Sequence, residues 1–285
     1  MQNNNQSKTV FVLEGGAMRG LYSAGVLDIF MKNGINTDAI YGVSAGALFG
    51  INFKSKQIGR AIRYNLKYAH EKNYMGLYSL ITTGNIMNEH FCFNRIVYEL
   101  DKFDFDTFDS SPIEFYAVVT NVETGKAEYM HITNARRDLE KLRASGSMPF
   151  VSKLVDIDGT KYLDGAISDP IPLQKALDED YGKIVVVLTR ADNEPKTKEC
   201  LPYNLVYRKY PNFIKCANEQ FEKYNATLEL VKKCEEQGRI VVLRPSQNLK
   251  IARVEKNLDK LKAIYNLGVN DSTTKLEKIK KYLNK

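Results

Sequence analysis

Ala39-Ile40-Tyr41-Gly42-Val43-Ser44-Ala45-Gly46 carries a short apolar run directly into a serine flanked by glycines. Ala39 to Val43 has the length and composition of a buried strand, Gly42 to Gly46 reads as its turn, and a helical pattern opens at about Ala45. Upstream the same plan appears once more. Thr9 to Leu13 is a β-branched, apolar run that stops at Glu14-Gly15-Gly16, after which Leu21, Ala24, Gly25, Val26 and Phe30 recur at helical spacing up to Gly34. Two successive strand–turn–helix units argue for an α/β protein with a parallel sheet.

Further along the chain, residues 54 to 99 are helical or loop-like and rich in aromatics. Tyr64, Tyr68, Tyr74, Tyr78, Phe91 and Phe93 read first as core, with the wall of an apolar channel as the other reading. Glu114 to Asn121 and Lys126 to Ile132 form a hairpin pattern around a glycine-containing turn. Leu154 to Ile157 and Thr160 to Leu163 form a second around Asp158-Gly159, the stronger turn signal, and it delivers Asp164 at a strand end. Lys183 to Leu188 and Arg239 to Leu243 are valine-rich runs of buried-strand length. Two helices are expected near Ala252 to Leu267 and Ser272 to Leu283, and the proline-bearing stretch 191–211 is the expected long loop.

With 285 residues, 44% hydrophobic and 26% charged, the chain has an ordinary globular composition. One domain is expected, with 8–175 as its catalytic core and 176–285 adding the remaining strands and a helical extension. The polar start, MQNNNQS, lacks the basic-then-apolar pattern of a secretory leader, and no uninterrupted apolar stretch is long enough to span a bilayer. A cytoplasmic chain is expected, with membrane contact only peripheral. Four scattered cysteines without CxxC spacing read as reduced structural thiols, and His70, His90 and His131 form no metal-ligand pattern, so no metal is expected. A net charge of +7 and a pI near 9.0 suit an acidic partner, nucleic acid or anionic lipid, without choosing between them. The basic C-terminal run KLEKIKKYLNK reads most simply as a solvated helix face.

Gly42-Val43-Ser44-Ala45-Gly46 matches GxSxG, in which glycines around a sharp strand-to-helix turn let the serine hydroxyl project free of its own backbone. Gly15-Gly16-Ala17-Met18-Arg19-Gly20 supplies a second turn at the end of the neighbouring strand, whose backbone N–H groups could face an oxyanion, with Arg19 steadying the loop or adding positive charge. A dinucleotide-binding GxGxxG would need glycine at position 17, where alanine stands, and a P-loop would need a Gly-Lys-Ser/Thr ending that is missing. The usual Ser, acid, His order cannot be built, because no histidine follows the later aspartates. A histidine in another order remains open. The other candidate partner is Asp164, in Asp164-Gly165-Ala166-Ile167-Ser168-Asp169-Pro170, where a glycine turn and prolines would fix it. A turn or helix-capping aspartate is the plainer reading of that residue.

Together, EGGAMRG, GVSAG and DGA in this order resemble the patatin-like phospholipases over roughly residues 8–175. The Arg-Pro after Leu243 and the helices beyond it look like a bacterial branch of that family. The resemblance implies a three-layer α/β/α sandwich with a mainly parallel central sheet and C-terminal helices, akin to cytosolic phospholipase A2. It further implies hydrolysis of lipid acyl esters, without calcium or another cofactor, by a Ser–Asp dyad: Ser44 as nucleophile and Asp164 as base. Gly15, Gly16 and Ala17 would then give the oxyanion-hole amides, with Arg19 nearby, and Ala144 to Pro149 would be the family's small-residue stretch. Ala166 and Asp169 depart from its commoner glycine and asparagine. A lipid or acyl-ester substrate is thus expected, with no nucleic acid; small soluble esters and a non-catalytic lipid-binding role are the rival readings.

Overall fold

The computed structural model describes residues 8–179, 181–191, 197 and 200–284. The reading of the polar N-terminus falls on residues outside these. In chain order the elements are β1 (Thr9–Leu13), α1 (Leu21–Lys32), β2 (Ala39–Val43), α2 (Ala45–Lys54), α3 (Arg60–Tyr68) and α4 (Leu77–Thr83). After a wide-turned π-helix at His90–Leu100 come α5 (Phe105–Ser110), β3 (Glu114–Asn121), β4 (Ala127–His131), α6 (Leu139–Ser145), β5 (Val155–Ile157) and β6 (Thr160–Asp164). The remainder is α7 (Leu173–Asp178), β7 (Lys183–Val187), α8 (Tyr203–Val206), α9 (Pro211–Asn218), α10 (Gln220–Glu236), β8 (Ile240–Leu243), α11 (Leu258–Thr274) and α12 (Leu276–Leu283).

Among the described residues the strands form one sheet, ordered β5-β6-β3-β2-β1-β7-β8, with β4 also paired to β3. β3, β2, β1, β7 and β8 run parallel, while β4, β6 and β5 form an antiparallel margin. Successive side chains of a strand point to opposite faces, and both faces are covered here. Phe11, Leu13, Val185 and Val187 pack on one face against Leu21, Phe30, Phe53 and Leu261 of the α1, α2 and α11 layer. Val10, Val12, Ile184 and Val186 pack on the other against Leu173, Ala176, Tyr224 and Val231 of α7 and α10. This is a three-layer α/β/α sandwich. The near-continuous apolar runs of the parallel strands are the consequence of burial on both sides.

The C-terminal helices differ from the sequence reading in their boundaries. α11 starts at Leu258, not Ala252, because the Asn257 side chain accepts the N–H groups of Asp259 and Lys260 and so caps the helix there. Ile251, just before the expected start, is buried from a loop. The basic run forms α12, with Ile279 inward and Lys278 and Lys281 exposed. The expected 191–211 loop lies partly outside the described residues. Its described part is not all loop, since α8 forms there and Pro211 opens α9 at a position where a missing N–H costs nothing.

Candidate active site

The parallel register sets the level of the site. Leu13 of β1 lies opposite Gly42 of β2, Val43 opposite Val118 of β3, and the next residue of β3, Val119, opposite Asp164 of β6. The loop after β1, the serine after β2 and the last residue of β6 therefore converge at the carboxyl end of the central strands, where open α/β sheets bind ligands.

Ser44 stands between β2 and α2 with φ 53° and ψ −121°, a left-handed conformation held by the structure around it. The sharp turn is possible because Gly46 lies on the end of β1: a Cβ there would sit 2.5 Å from the Leu13 carbonyl oxygen. The Ser44 N–H donates to Ser145 Oγ at 2.9 Å, and Ser44 Oγ donates to Asp164 Oδ2 at 2.7 Å. Asp164 is itself fixed. Its Oδ1 accepts the Ala166 N–H at 2.8 Å, its own N–H donates to the Ser147 carbonyl at 2.8 Å, and its carbonyl accepts Thr120 Oγ1 at 2.8 Å. Both side chains are buried, Ser44 to 6% exposure and Asp164 to 3%, so the pair faces little competition from water.

Gly15, Gly16 and Ala17 line a cavity together with Ser44 and Asp164. Gly15 lies tight against the serine, since a Cβ there would sit 3.0 Å from Ser44 Cβ and 3.2 Å from the Val43 carbonyl oxygen. Ala17 takes a positive φ of 50°, unusual for a residue with a Cβ. The loop is moored by Glu14, which sequence reasoning missed. Its buried carboxylate accepts the Thr189 N–H at 2.6 Å and the Tyr224 hydroxyl at 2.8 Å, tying β1 to the segment after β7 and to α10. Arg19 lines the same cavity, and its Nε is buried without a hydrogen-bond partner. Burial and the nearby Arg190 guanidinium pull the Arg19 pKa below its ordinary value.

Ser44 lies where two cavities meet. One, with about 1030 Å³ of empty space partly open to solvent, is walled almost wholly by apolar groups such as Leu48, Phe49, Met87, Phe93 and Leu142. Of the aromatics singled out in the sequence, Tyr64, Tyr74 and Phe93 line it, Tyr68 and Phe91 pack in the core behind, and Tyr78 is exposed on α4. The other, with about 1340 Å³, holds the polar groups: Arg19, Arg190, Arg253, Asp164 and Gln220. None of the three histidines lines either cavity; His131 stacks on Tyr116 instead, and His70 and His90 are exposed. Cys92, Cys216 and Cys234 are at least half-buried free thiols, whereas Cys200 is exposed and so has no packing role.

Arg190 and Arg253 were not anticipated. Arg190 follows β7 at the carboxyl edge of the sheet, a position the strand-end rule could have flagged. Arg253 comes from the loop before α11, and no local pattern marks it.

A serine on a strand-to-helix elbow, bonded to a buried carboxylate beside a glycine loop, defines the class: a three-layer α/β protein with a serine–carboxylate pair at the end of its parallel strands. Residues 11–177 match the model of the patatin-like phospholipases, and the chain belongs to that family. Residues 210–284 match a domain of unknown function (DUF6363), although β8, within that segment, is a strand of the same sheet. The chain is 29% identical over 196 residues to the uncharacterised protein YjjU of Escherichia coli (strain K12), covering 64% of this chain and 52% of that one. It is 28% identical over 197 residues to Lysophospholipase nte1 of Aspergillus terreus, covering 65% of this chain but 12% of the relative. The chain thus spans about half of the first relative and a small part of the second. Among solved structures, VipD from Legionella pneumophila aligns with 96% of this chain and 67% of its own at 11% identity and a TM-score of 0.43.

Proposed function

We propose that the chain is a serine acyl hydrolase that cleaves acyl esters of phospholipids, lysophospholipids or related lipids through Ser44 and Asp164. The observation that carries the reading is the 2.7 Å bond from Ser44 Oγ to the buried carboxylate of Asp164, a residue held by its main chain and by the Ala166 N–H at the junction of an apolar and a polar cavity. As the Ser44 oxygen attacks the ester carbonyl, its proton passes to Asp164 Oδ2, and the N–H groups of Gly15, Gly16 and Ala17 hold the oxyanion. Collapse breaks the bond to the alcohol, which leaves with the proton from Asp164. Water then gives a proton to Asp164 while its oxygen attacks the acyl-enzyme; the bond to Ser44 breaks, its oxygen takes the proton back from Asp164, and the fatty acid is released. A free aspartate is a weak base, so orientation in a dry site supplies much of the rate.

The apolar cavity favours a long acyl chain over a small soluble ester, because its walls are almost wholly hydrocarbon and it opens directly at Ser44. Presentation of such a substrate from an anionic bilayer is the second part of the reading. Leu77, Tyr78 and Ile81 on α4 and Leu201, Leu205 and Val206 at α8 are exposed large apolar residues. Lys72 lies over Tyr78, Lys153 beside Gly84, Lys256 beside Gly76, and Arg208 and Lys209 follow α8. Among the described residues no helix is long and apolar enough to cross a membrane, and apolar side chains within a cationic rim suit a surface contact.

A fluorophosphonate probe tests the catalytic reading directly. Labelling of the wild type at Ser44, none in Ser44→Ala, and hydrolysis of a lysophospholipid by the wild type alone are expected. Unlabelled, folded wild-type protein would instead favour a lipid-binding role.

A further inference from the structure

The apolar cavity leads away from Ser44 between helices and ends on a charge. Ala45, Leu48 and Ile51 of α2 line it in turn. Asn52, eight residues on from Ser44, stands about 12 Å along that helix at 1.5 Å per residue. On a second side is α6, whose last residue, Ser145, accepts the Ser44 N–H; Leu142, Leu139 and Ala135 line the cavity at successive steps back along the chain. On a third is the π-helix, whose Phe93 and Ile96 line the cavity and which ends at Asp101. A π-helix is a rare element, found frequently at functional sites.

Arg60, the first residue of α3, joins the ends of two of these walls. It is 2% exposed and lines the cavity. Its Nη1 donates to Asn52 Oδ1 at 3.1 Å, near the end of α2, and its Nε and Nη2 donate to the Asp101 carbonyl at 3.1 and 2.6 Å, at the end of the π-helix. The rings of Tyr64 and Phe103, both on the cavity wall, each lie 5.3 Å from its guanidinium. Arg63, half-exposed, donates to both oxygens of the Asp101 carboxylate at 2.7 and 2.8 Å, so Asp101 is held from the solvent side as well. Asn65 also lines the cavity, its side chain fixed between the Tyr74 hydroxyl and the Ala61 carbonyl, each at 2.8 Å. A methyl group offers a buried guanidinium no bond. Pushing hydrocarbon past Arg60 would part the cation from its partners, which is costly in a dry interior.

We propose that Arg60 is the end stop of the acyl cavity, limiting the chain to about eight to ten carbons, since an extended chain advances about 1.2 Å per bond over a length of about 12 Å. The enzyme thereby selects medium-chain esters over long-chain ones. This rests on the acyl-hydrolase reading above and deepens it: the hydrocarbon walls set a lower bound on the acyl chain, and Arg60 sets an upper one.

The test is the rate at which Ser44 is labelled by a series of n-alkyl fluorophosphonates from butyl to hexadecyl, read by mass spectrometry at concentrations where all stay monomeric. In the wild type the rate is expected to rise up to about fourfold per methylene, break at octyl to decyl, and fall for tetradecyl and hexadecyl. Arg60→Ala removes the stop while leaving Asp101 paired with Arg63, and should move the break to tetradecyl or beyond. Ile51→Phe adds bulk in front of the stop and should move it below octyl. The position of the break is read within one variant, so a partly unfolded sample lowers every rate alike and leaves it in place. A wild-type rate that climbs unbroken to hexadecyl, or a break that stays put in both variants, overturns the stop. Folded wild-type protein that no probe labels sinks the hydrolase reading instead. Calorimetry with decanoate and hexadecanoate then decides the stop by itself: decanoate binding the more tightly supports it, and hexadecanoate binding as tightly or better overturns it.

Discussion

Ser44 holds a backbone conformation that costs of order 1–3 kcal/mol, and the contacts that enforce it are the ones the chemistry would use. Its N–H is bonded to Ser145 Oγ and its hydroxyl to Asp164, so neither the main chain nor the side chain is free to relax. Asp164→Asn keeps the shape of the side chain but removes the ability to take a proton. Turnover of a p-nitrophenyl acyl ester should fall by about 10²–10⁴ with the circular dichroism spectrum unchanged; full turnover in this variant would end the dyad assignment. Ser145→Ala makes a subtler demand. It leaves the buried Ser44 N–H without its acceptor, at about 1–3 kcal/mol, and lets the elbow shift. A lower melting temperature together with a kcat reduced about tenfold is expected, and Ser145→Thr, which keeps the hydroxyl, should recover part of both. Ser145 belonged to a recognisable small-residue stretch in the sequence, but its bond to position 44 spans 101 residues and has no local signature.

At the scale of the element, α6 links the site to a charged anchor at its other end. Ser145 closes the helix, and Asp138 precedes it, buried to 2% exposure, with its carboxylate accepting the N–H groups of Thr133 and Asn134 and facing Arg137 and Lys141 at 3.1 Å. Burial alone would raise the pKa of this carboxyl. The Arg137 guanidinium, the Asn134 amide and Lys141 outweigh it and bring the pKa from an ordinary 3.8 down to about 2. A group depressed in the folded state stabilises it above the unfolded pKa and loses that contribution as pH falls through the folded one. The window is therefore between about pH 4 and pH 2, and the shift corresponds to about 2 kcal/mol before screening by solvent and salt. Asp138→Asn should lower the urea midpoint at pH 7, and the gap from wild type should narrow as the pH is lowered from 5 towards 3. A constant gap would mean that the aspartate acts by shape alone. The sequence showed elements of this kind unevenly. β1, β2, α1 and both hairpins were legible because glycine turns and apolar spacing are local signals, and the Asp158-Gly159 turn placed Asp164 at a strand end. The order of strands in the sheet, Glu14 as mooring of the glycine loop, and Arg190 and Arg253 were not legible, since each depends on contacts between distant segments. The start of α11 was misread for a related reason: Ile251 and Val254 are apolar because they face the core and the apolar cavity from a loop, and apolar spacing alone cannot distinguish that from a helix.

If the proposed lipid hydrolysis holds, the question for the whole molecule is how a buried serine would meet a substrate held in a bilayer. Six exposed large apolar residues lie on α4 and at α8. Both elements border the strip that forms the cavity wall at Met148 to Phe150: the Ile86 N–H bonds the Val151 carbonyl just after α4, and Phe150 packs on Tyr203 and Tyr207 at α8. Inserting these side chains below lipid headgroups would remove apolar surface from water, worth up to about 1.5–3 kcal/mol for a fully buried leucine or isoleucine. Each lysine or arginine held near an anionic surface adds about 1 kcal/mol, an effect that salt weakens. The two contributions predict different responses. Vesicles containing phosphatidylserine should bind the protein more tightly than neutral ones, and added salt should erase that difference. Ile81→Glu with Leu205→Glu should weaken binding to both kinds of vesicle by tenfold or more, because the apolar contribution is shared, on the order of 1.4 kcal/mol per factor of ten. Hydrolysis of a monomeric short-chain ester by the same double variant should stay near wild type, since neither residue lines either of the two cavities that meet at Ser44. Sedimentation with vesicles measures the first effect and a soluble-ester assay the second. Equal losses in both would indicate a folding defect, and unchanged vesicle binding would show that the protein meets its lipid through another face.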